Sequence, residues 1–473
     1  MTHAEVGGAV GGADAALVTD DVLAEWVTAQ RWFGAKTRDV GEVNALDTII
    51  LRDEAPALAL VIIEARFRAG THELYQLPIG VRPAAEGWDR GVIRSGERST
   101  IYDALSDATL TAVLVALMQG SAQIDRPEGL VRFHAHGRAA GARVDPHATV
   151  RAMDAEQSNT SVVLDERLVL KVFRRIEPGI NPELEMLSFL SAHGFEHIAA
   201  LGGSYGYAGR LMEATLGVMQ SYVTPAANGW GLALRAIETA DNGFLDRIQA
   251  LGEITGRMHS VLSSDPSTPD FAPEEPSDES VSLLTATIDE EVERLFAMLP
   301  DRPELRPIAG RGDEVRDHLR QMSHTGIGGR LIRVHGDYHL GQAVYGPRGW
   351  VILDFEGEPA RPLLERRRKR SPLRDVAGML RSFAYAASAT VLLGGAAVPD
   401  GWESRARERY LAGYLSQVEP VLLPAGRAAI DRLLFMFELE KAIYELRYEL
   451  NHRPDWVGVP VAAITRLLEE PSV

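Results

Sequence analysis

The stretch VHGDYHLGQ, residues 334–342, is followed after a short interval by VILDFEGEP, residues 351–359. Each stretch carries an aspartate, Asp337 or Asp354, just after an apolar run that is typical of a β-strand. Gln342 lies five residues after Asp337, in the same polar loop. Two loops that are joined by one hairpin can meet at one point, so we expect these three side chains to lie close together.

Two aspartates and an amide in this order are typical of enzymes that transfer a phosphoryl group from ATP. One aspartate orients the attacking hydroxyl and accepts its proton, while the amide and the second aspartate hold the magnesium ions that bridge the phosphates. We therefore predict that Asp337 is the catalytic base and that Gln342 and Asp354 are Mg²⁺ ligands. An ordinary solvated turn would explain one such motif but not two at this spacing.

A zinc site is another interpretation of the same segment, because His335 and His339 are four residues apart. Histidines at this spacing bind zinc when they share one face of a helix. Gly336 and Gly341 disfavour a helix here, and the apolar run at residues 331–334 has the character of a strand. The kinase interpretation therefore remains the stronger one.

A lysine that could bind nucleotide phosphates lies inside a second apolar strand. Lys171 belongs to the run at residues 168–173, where a charged side chain is costly unless it is paired. A helix is predicted to begin at residues 181–183, which supply a capping asparagine, a proline and an acidic first turn. We predict that Glu185 pairs with Lys171, and that Glu183 interacts only with the helix dipole.

The segment before this strand pair has the position of a phosphate-covering loop, although it contains no glycine. Its polar groups and backbone N–H groups could contact phosphates. A hinge between two lobes is expected near residues 219–223. The predicted nucleotide site therefore comprises, besides Lys171 and Glu185, the side chains of Ser158, Asn159, Thr160, Gln220 and Tyr222.

Longer strings resemble the maltokinases of actinobacteria, a family found as free enzymes and as domains fused to trehalose synthase. Near the two ends of the chain, residues 30–36, 438–445 and 451–456 are similar to the opening and closing signatures of that family. The other matching strings are residues 154–161, 171–175, 179–183, 335–342, 354–359 and 371–383. The resemblance therefore covers nearly the whole chain.

The resemblance implies an α+β fold: a bilobal protein-kinase-like fold of the aminoglycoside phosphotransferase type, with an N-terminal α+β cap and a mainly helical C-terminal lobe. It implies transfer of the γ-phosphate of ATP, with Mg²⁺, to the anomeric hydroxyl of maltose. The product would be maltose 1-phosphate for α-glucan (glycogen) synthesis, with a functional link to trehalose synthase. Glucosamine kinases share the core motifs, so glucosamine or another small sugar is the alternative acceptor.

Two readings of another class remain open from the residues. One is an inactive kinase fold that serves as a binding module, which is disfavoured by the presence of the full set of Lys171, Glu185, Asp337, Gln342 and Asp354. The other is a metal-dependent hydrolase that would use Asp337, His339 and Asp354. Consumption of ATP only in the presence of sugar would separate a kinase from both.

A sugar site is expected where charged and aromatic side chains recur at helical spacing. Lys441, Tyr444 and Tyr448 can share one helix face, although a solvated face of an amphipathic helix would have the same pattern. The predicted sugar-binding residues are His339, Glu358, Arg361, Lys441, Tyr444 and Tyr448. His335 and Asp375 are assigned to structural support, because Asp375 is expected to accept hydrogen bonds from the loop around His335.

Composition and charge limit the function further. The chain has 473 residues and a net charge of −17, from 49 basic and 66 acidic residues, which disfavours binding to nucleic acids. It has no cysteine, which excludes disulfides and a catalytic thiol and is compatible with a cytoplasmic location. The longest mildly apolar run, residues 384–398, is short and interrupted, so no membrane span is predicted.

Changes in composition suggest four segments. We predict a disordered tail at residues 1–20, a cap at 21–90, an intermediate and nucleotide-binding lobe at 91–220, and a helical catalytic and sugar-binding lobe at 221–473. The basic run at residues 366–370 is interpreted as the solvated face of a loop, with attraction of phosphates as the alternative.

Overall fold

The computed structural model describes residues 19–35, 38–126, 129–137, 148–153, 159–210, 212–224, 226–323, 328–359, 361–394 and 397–469. Its contacts divide the chain into two compact units. The first contains the described residues up to Ser191 together with Ala199–Thr224, and the second contains Ala192–Ile198 and the described residues from 226 onward. The first unit is rich in β-strands and the second is mainly helical.

The first unit begins with a helix and a long antiparallel sheet. Helix α1 (Asp20–Ala29) is capped by the Thr19 hydroxyl, which accepts a hydrogen bond from the backbone of Val22. The sheet has the strand order β1-β2-β3-β5-β4, and a short strand β11 pairs with β3. Its strands are β1 (Val40–Arg52), β2 (Ala57–Phe67), β3 (His72–Pro83), β4 (Val92–Ser95), β5 (Ser99–Asp103) and β11 (Arg175–Ile176).

A second antiparallel sheet in the same unit contains the strand that carries Lys171. Its order is β6-β7-β12-β13-β10-β9-β8, so strand β10 lies inside the sheet between β13 and β9. The strands are β6 (Gln123–Arg126), β7 (Gly129–Ala135), β8 (Val150–Ala152), β9 (Thr160–Leu164), β10 (Leu168–Val172), β12 (Leu201–Gly209) and β13 (Glu213–Ser221). Helices α2 (Ala108–Gln119) and α3 (Pro182–Ala192) complete the unit.

Buried polar side chains join the two sheets of the first unit. The amide of Gln76 on β3 donates hydrogen bonds to the carbonyls of Phe173, at 2.8 Å, and Leu216. Arg174, 1% exposed, pairs with Asp103 on β5, and its guanidinium carbon lies 5.1 Å from the centre of the Trp32 ring. Because these contacts are desolvated, they fix how the first sheet sits against the strand that carries Lys171.

The second unit is built from helices around one small sheet. That sheet has the order β14-β15-β16 and presents the hairpin β15–β16. Its strands are β14 (Ala227–Asn228), β15 (Ala343–Gly346) and β16 (Gly349–Ile352). The helices are α4 (Gly229–Glu238), α5 (Gly243–Leu262), α6 (Asp278–Ala297), α7 (Gly312–Ser323), α8 (Leu363–Arg366), α9 (Leu373–Gly394), α10 (Trp402–Gln417), α11 (Arg427–His452) and α12 (Gly458–Glu469).

Helices α5 and α10 are in backbone contact, which requires glycine. A Cβ atom on Gly252 would lie 2.1 Å from the carbonyl oxygen of Tyr410, and one on Gly413 would lie 2.1 Å from that of Gln249. Any larger residue at either position would therefore separate the two helices.

Two sequence predictions are corrected or left open here. The strand predicted at residues 331–334 consists only of two isolated bridges, Leu331 with Glu274 and Ile332 with Arg370. Residues 1–18 of the predicted tail lie outside the described residues, and the predicted domain boundaries stay predictions. Among the described residues, no helix is both long and apolar enough to cross a membrane.

Candidate active site

The hairpin β15–β16 brings the predicted metal ligands together. A single 3₁₀ turn, Leu340–Gln342, leads into β15, and the chain leaves β16 at Leu353. The side-chain amide of Gln342 donates a hydrogen bond to Asp354 Oδ2 at 3.0 Å, and the backbone N–H of Leu353 donates to the Gln342 carbonyl at 2.9 Å. Antiparallel pairing of two short strands therefore aligns the two side chains, as the sequence predicts.

Asp354 has an unusual backbone conformation. Its φ of 62° lies in the left-handed region, which a non-glycine residue adopts at an energetic cost. Such strain persists only when the surrounding structure fixes it, and it is concentrated at functional sites. The outlier thus supports a functional role for this carboxylate, independently of the sequence motif.

Asp375 holds the loop that carries Asp337. Its carboxylate accepts hydrogen bonds from the backbone N–H groups of His335, at 2.7 Å, and Gly336, at 2.9 Å. His259 on α5 is also hydrogen bonded to this carboxylate, at 3.1 Å. Burial raises the pKa of Asp375, but His259, His335 and the hydrogen bond from the Gly336 N–H together outweigh burial and lower that pKa overall. The predicted contact between Asp375 and the loop is present, and its structural role stays a prediction.

His335 connects the two motifs of the sequence. Its Nε2 lies 2.9 Å from the carbonyl oxygen of Leu353, and its Nδ1 accepts a long hydrogen bond of 3.4 Å from the backbone N–H of Asp337. This imidazole is buried at 1% exposure. His335 therefore links the Asp337 loop to the chain segment that ends at Asp354, and it is not aligned with His339 on a helix.

Two basic groups flank the carboxylate of Asp337. Lys441 Nζ lies 3.5 Å from one oxygen, and His339 Nε2 lies 3.9 Å from the other. Burial lowers the pKa of Lys441, but the nearby carboxylates of Asp337, Glu445 and Glu358 raise it overall. Burial lowers the pKa of His339, and this effect is larger than the opposite effect of the Asp337 charge, so the pKa is lowered overall. Lys441 is thus held as a cation beside Asp337, while His339 favours the neutral form.

A cavity of about 260 Å³ opens beside Asp337 in the second unit. Helix α11 contributes Lys441 and Tyr444, and the Lys441 ammonium lies 5.1 Å from the centre of the Tyr444 ring. Glu358 and Arg361 also line the cavity and pair with each other at 2.7 Å. Four of the six predicted sugar-binding residues are therefore brought together next to the predicted catalytic base.

The other two predicted sugar-binding residues have different surroundings. Tyr448 lies one turn further along α11, outside the lining of this cavity; it is 39% exposed and stacks on His452 at 4.5 Å. His339 does not line the cavity either, although it lies beside Asp337. Its ring nitrogen accepts a hydrogen bond from the backbone of Gly341 and caps the 3₁₀ turn.

The basic run at residues 366–370 is not simply a solvated face. The Arg366 side chain is 5% exposed and donates a hydrogen bond to the carbonyl of Glu356 at 3.2 Å. The Lys369 side chain is 10% exposed and pairs with Glu274 at 2.6 Å. Arg366 and Arg370 line the cavity. Arg366 and Lys369 are therefore covered, whereas Arg368 between them is exposed, in the short segment that leads from α8 to the bridge between Arg370 and Ile332.

In the first unit, Lys171 pairs with Glu183 at 2.8 Å, whereas the predicted partner was Glu185. Asn181 caps helix α3 by accepting a hydrogen bond from the backbone of Glu183 at 2.8 Å, which directs Glu183 toward β10. Glu185 lies two positions further on, about 200° around the helix, and is half-buried. The prediction of Glu185 was wrong because it rested on the distance of each glutamate from the helix cap and not on which face of the helix points toward Lys171.

The other predicted nucleotide-site residues that the structure describes lie on, or directly next to, strands β9 and β13, which flank β10. Gln220 donates a hydrogen bond to Glu183 at 2.6 Å, so in this structure it supports the lysine pair. The hydroxyl of Thr160 accepts a hydrogen bond from Arg174 at 2.8 Å, and that of Tyr222 accepts one from Arg151 at 2.8 Å. Asn159 is buried at 8% exposure. Ser158 lies outside the described residues, and the nucleotide-binding roles stay predictions.

Some residues of the site had no clear signal in the sequence. Glu291 on α6 and Arg447 on α11 line the cavity and pair at 3.9 Å. His259 contacts Asp375 across 116 residues of sequence. Arg374 also lines the cavity and was not predicted. Its position directly before Asp375, at the start of α9, is the local signal that could have indicated it.

The residues at the β16 end fit a magnesium ion by their chemistry. Mg²⁺ prefers oxygen ligands, and Asp354 offers carboxylate oxygens. The Gln342 side-chain nitrogen donates its hydrogen bond to Asp354, so the side-chain oxygen of Gln342 is available as a metal ligand. Cysteine, a ligand of softer metals, is absent from the chain.

Comparison with known proteins identifies the family. A sequence model of the phosphotransferase enzyme family matches residues 149–417, which is more than half of the chain. The chain therefore belongs to the phosphotransferase enzyme family. A model of the maltokinase N-terminal cap domain matches residues 26–107. The predicted fold class, an α+β kinase-like fold with an N-terminal cap and a helical C-terminal region, is confirmed.

Several relatives are similar over most of their length. The chain is 26% identical to a glucosamine kinase of Streptacidiphilus jiangxiensis over 83% of this chain and 89% of the relative. It is 25% identical to a glucosamine kinase of Mycolicibacterium smegmatis over 68% and 80%, respectively. A solved glucosamine kinase in complex with glucosamine, ADP and inorganic phosphate covers 94% of this chain and 98% of its own, with 22% identity and a TM-score of 0.68. At this identity the structural likeness shows the fold.

Proposed function

We propose that this phosphotransferase is a sugar kinase that transfers the γ-phosphate of ATP to the anomeric hydroxyl of maltose. The observation that carries the proposal is the position of Asp337, which lines a polar cavity and lies 3.5 Å from Lys441. A carboxylate at the edge of a cavity with hydroxyl-binding side chains is suited to accept a proton from a bound sugar. The association with α-glucan synthesis and trehalose synthase belongs to the same proposal and rests on sequence resemblance.

The proposed reaction is a displacement at phosphorus. A bond forms between the sugar oxygen and the γ-phosphorus, while the bond from that phosphorus to the oxygen bridging it to the β-phosphate breaks. The hydroxyl proton passes to Asp337, and ADP leaves with the bridging oxygen. Lys441, whose ammonium lies 3.5 Å from Asp337 Oδ1, pairs with this carboxylate and holds it in place.

The remaining roles follow from the residues themselves. Lys171, buried and held by Glu183, is proposed to contact the nucleotide phosphates. Asp354 and Gln342 are proposed to hold Mg²⁺, which would neutralise charge on the phosphates when bound. The hydrogen bonds from the loop to Asp375 keep Asp337 in a fixed position relative to the cavity.

Maltose is the first candidate acceptor, and glucosamine is the second. The match to the maltokinase cap domain over residues 26–107 supports maltose, as does the sequence resemblance. The relatives that are called glucosamine kinases support the alternative, at 25–26% identity. The cavity favours a disaccharide, because its polar lining continues from Asp337 past Tyr444 to the pair of Glu291 and Arg447 on α6 and α11.

An assay of ADP release with a panel of sugars tests the proposal. With ATP and Mg²⁺, maltose should give a much higher kcat/KM than glucose or glucosamine. A site that hydrogen bonds a second glucose unit leaves buried polar groups unpaired when only a monosaccharide is present. Chelation of Mg²⁺ by EDTA should abolish turnover, and added Mg²⁺ should restore it.

Two results would change the conclusion in different ways. Efficient turnover of glucosamine with none of maltose would replace the acceptor and leave the proposed phosphoryl transfer intact. Release of ADP that does not depend on any sugar would contradict a sugar kinase. Identification of the phosphorylated carbon by ³¹P NMR of the product would test the anomeric position.

A further inference from the structure

Three arginines form one wall of the cavity beside Asp337. Arg361 follows the β15–β16 hairpin, Arg370 ends the basic run, and Arg374 belongs to the first turn of α9. All three side chains line the same cavity as Asp337. We call these three residues the arginine wall.

Two members of the arginine wall are neutralised by carboxylates. Arg361 pairs with Glu358 at 2.7 Å and with Glu365 at 3.6 Å. Arg374 pairs with Glu440 on α11. Both guanidinium groups are therefore engaged before any ligand enters the cavity.

Arg370 differs from its two neighbours. Its guanidinium forms no ion pair or side-chain hydrogen bond with the described residues, whereas its backbone is fixed by two hydrogen bonds to Ile332. Burial and the charges of Arg374 and Arg361 lower the pKa of Arg370 to about 10, while the carboxylates of Glu440 and Glu365 oppose this shift, so the guanidinium stays charged near neutral pH. A partly buried guanidinium whose N–H groups have no side-chain hydrogen-bond acceptor among the described residues is costly, so a ligand that supplies acceptors would relieve this cost.

The chemistry of a guanidinium limits what that ligand can be. Arginine offers five N–H donors and no acceptor, so its partner must present oxygen lone pairs. A sugar hydroxyl can accept such a hydrogen bond. An ammonium group has only donors and carries the same charge, so it cannot occupy the position beside Arg370 without repulsion.

We infer that Arg370 is a specificity-determining residue, which donates hydrogen bonds to a hydroxyl oxygen of the acceptor and excludes amino sugars from the cavity. This inference rests on the proposed sugar-kinase function and deepens it by assigning the acceptor to the neutral sugars. It separates this chain in specificity from the relatives that are called glucosamine kinases, with which it shares its fold.

The test compares Arg370→Gln with the parent enzyme. The first measured quantity is kcat/KM for maltose. The second is the pair of inhibition constants of glucose and glucosamine against maltose, because these two sugars differ only in having a hydroxyl or an amine at one carbon. Loss of a hydrogen bond from a charged donor should reduce kcat/KM for maltose roughly 10- to 100-fold, mainly through KM. Glucosamine should inhibit the variant more strongly relative to glucose than it inhibits the parent, by about tenfold.

Arg368→Gln is the matched control. Arg368 lies two residues earlier, is exposed and does not line the cavity, so the same loss of charge there should leave all three constants unchanged. Thermal unfolding of both variants separates a change in specificity from a loss of folded protein. Arg370→Glu, which adds acceptors at the same place, should favour glucosamine further.

The outcomes distinguish this inference from the proposed function. If the parent enzyme phosphorylates maltose and folded Arg370→Gln changes neither the maltose constant nor the ratio of inhibition constants beyond about twofold, the inference is wrong and the function stands. If the parent phosphorylates glucosamine in preference to maltose, the inference is wrong together with the choice of acceptor. If no sugar stimulates ADP release, the proposed function itself fails, and the inference fails with it.

Discussion

Two lysine–carboxylate pairs in this molecule have the same chemistry and opposite surroundings. In the first unit, Lys171 and Glu183 are 2.8 Å apart, with side chains that are 7% and 2% exposed. In the second unit, Lys441 and Asp337 are 3.5 Å apart and are 32% and 26% exposed. The first pair is closed and desolvated, whereas the second is loose and faces a cavity.

The difference indicates what each pair contributes. A buried pair is strongly destabilised when one partner is removed, because the other charge is left without compensation. An exposed pair contributes little to the free energy of unfolding but keeps both charges accessible to a ligand. The Lys171 pair therefore fixes the position of a lysine within the fold, and the Lys441 pair leaves the Asp337 carboxylate accessible from the cavity.

The largest effect is expected when the accessible carboxylate is removed. Asp337→Asn keeps the shape of the side chain but cannot accept the hydroxyl proton, so kcat should fall roughly 10²- to 10⁴-fold. The free energy of unfolding should stay within about 1 kcal/mol of the parent. Steady-state kinetics and urea denaturation measure the two quantities. A folded variant with turnover near that of the parent would show that Asp337 is not the base.

Breaking the buried pair should have the opposite profile. Glu183→Gln removes the buried carboxylate that lies 2.8 Å from the Lys171 ammonium, which should lower the free energy of unfolding by about 3–5 kcal/mol. The matched control is Glu185→Gln on the same helix, where a change within about 1 kcal/mol is expected. Denaturant unfolding of the two variants gives both values. Equal destabilisation by the two substitutions would mean that the helix, and not the ion pair, carries the effect.

The smallest effect on stability is expected at Lys441. Lys441→Gln removes a partly exposed cation, so the free energy of unfolding should change by less than about 1 kcal/mol. The KM for the sugar should rise more than the KM for ATP, because Lys441 lines the cavity beside Asp337. A rise in the KM for ATP alone would reassign Lys441 to the nucleotide. Large destabilisation would contradict the contrast between the two pairs.

The sequence predicts the parts of the site that depend on neighbouring residues. The hairpin that joins Gln342 to Asp354 follows from two short apolar runs with polar ends, so local pairing brings the side chains together. The cap of helix α3 was equally predictable, because Asn181 and Pro182 are strong start signals. The face shared by Lys441 and Tyr444 follows from helical spacing on α11.

Contacts that depend on tertiary packing were not predictable. The start of α3 is evident from the sequence, but the orientation of its first turn toward β10 is not, so the choice between Glu183 and Glu185 failed. The run of charges at residues 366–370 gives no sign of which side chains are covered, since this depends on the bridge between Arg370 and Ile332. His259 has no local pattern, because its partner Asp375 comes from a distant helix.

The contact between helices α5 and α10 has a consequence for how such an enzyme could change its substrate. Main-chain atoms at Gly252 and Gly413 set the spacing of these helices, and α5 also carries His259, which contacts Asp375 and through it the loop of Asp337. The arginine wall comes from other segments, namely the chain after β16 and the start of α9. If Arg370 sets the acceptor as proposed, substitutions in the arginine wall would change the acceptor without altering the spacing of α5 and α10, on which the support of the Asp337 loop depends.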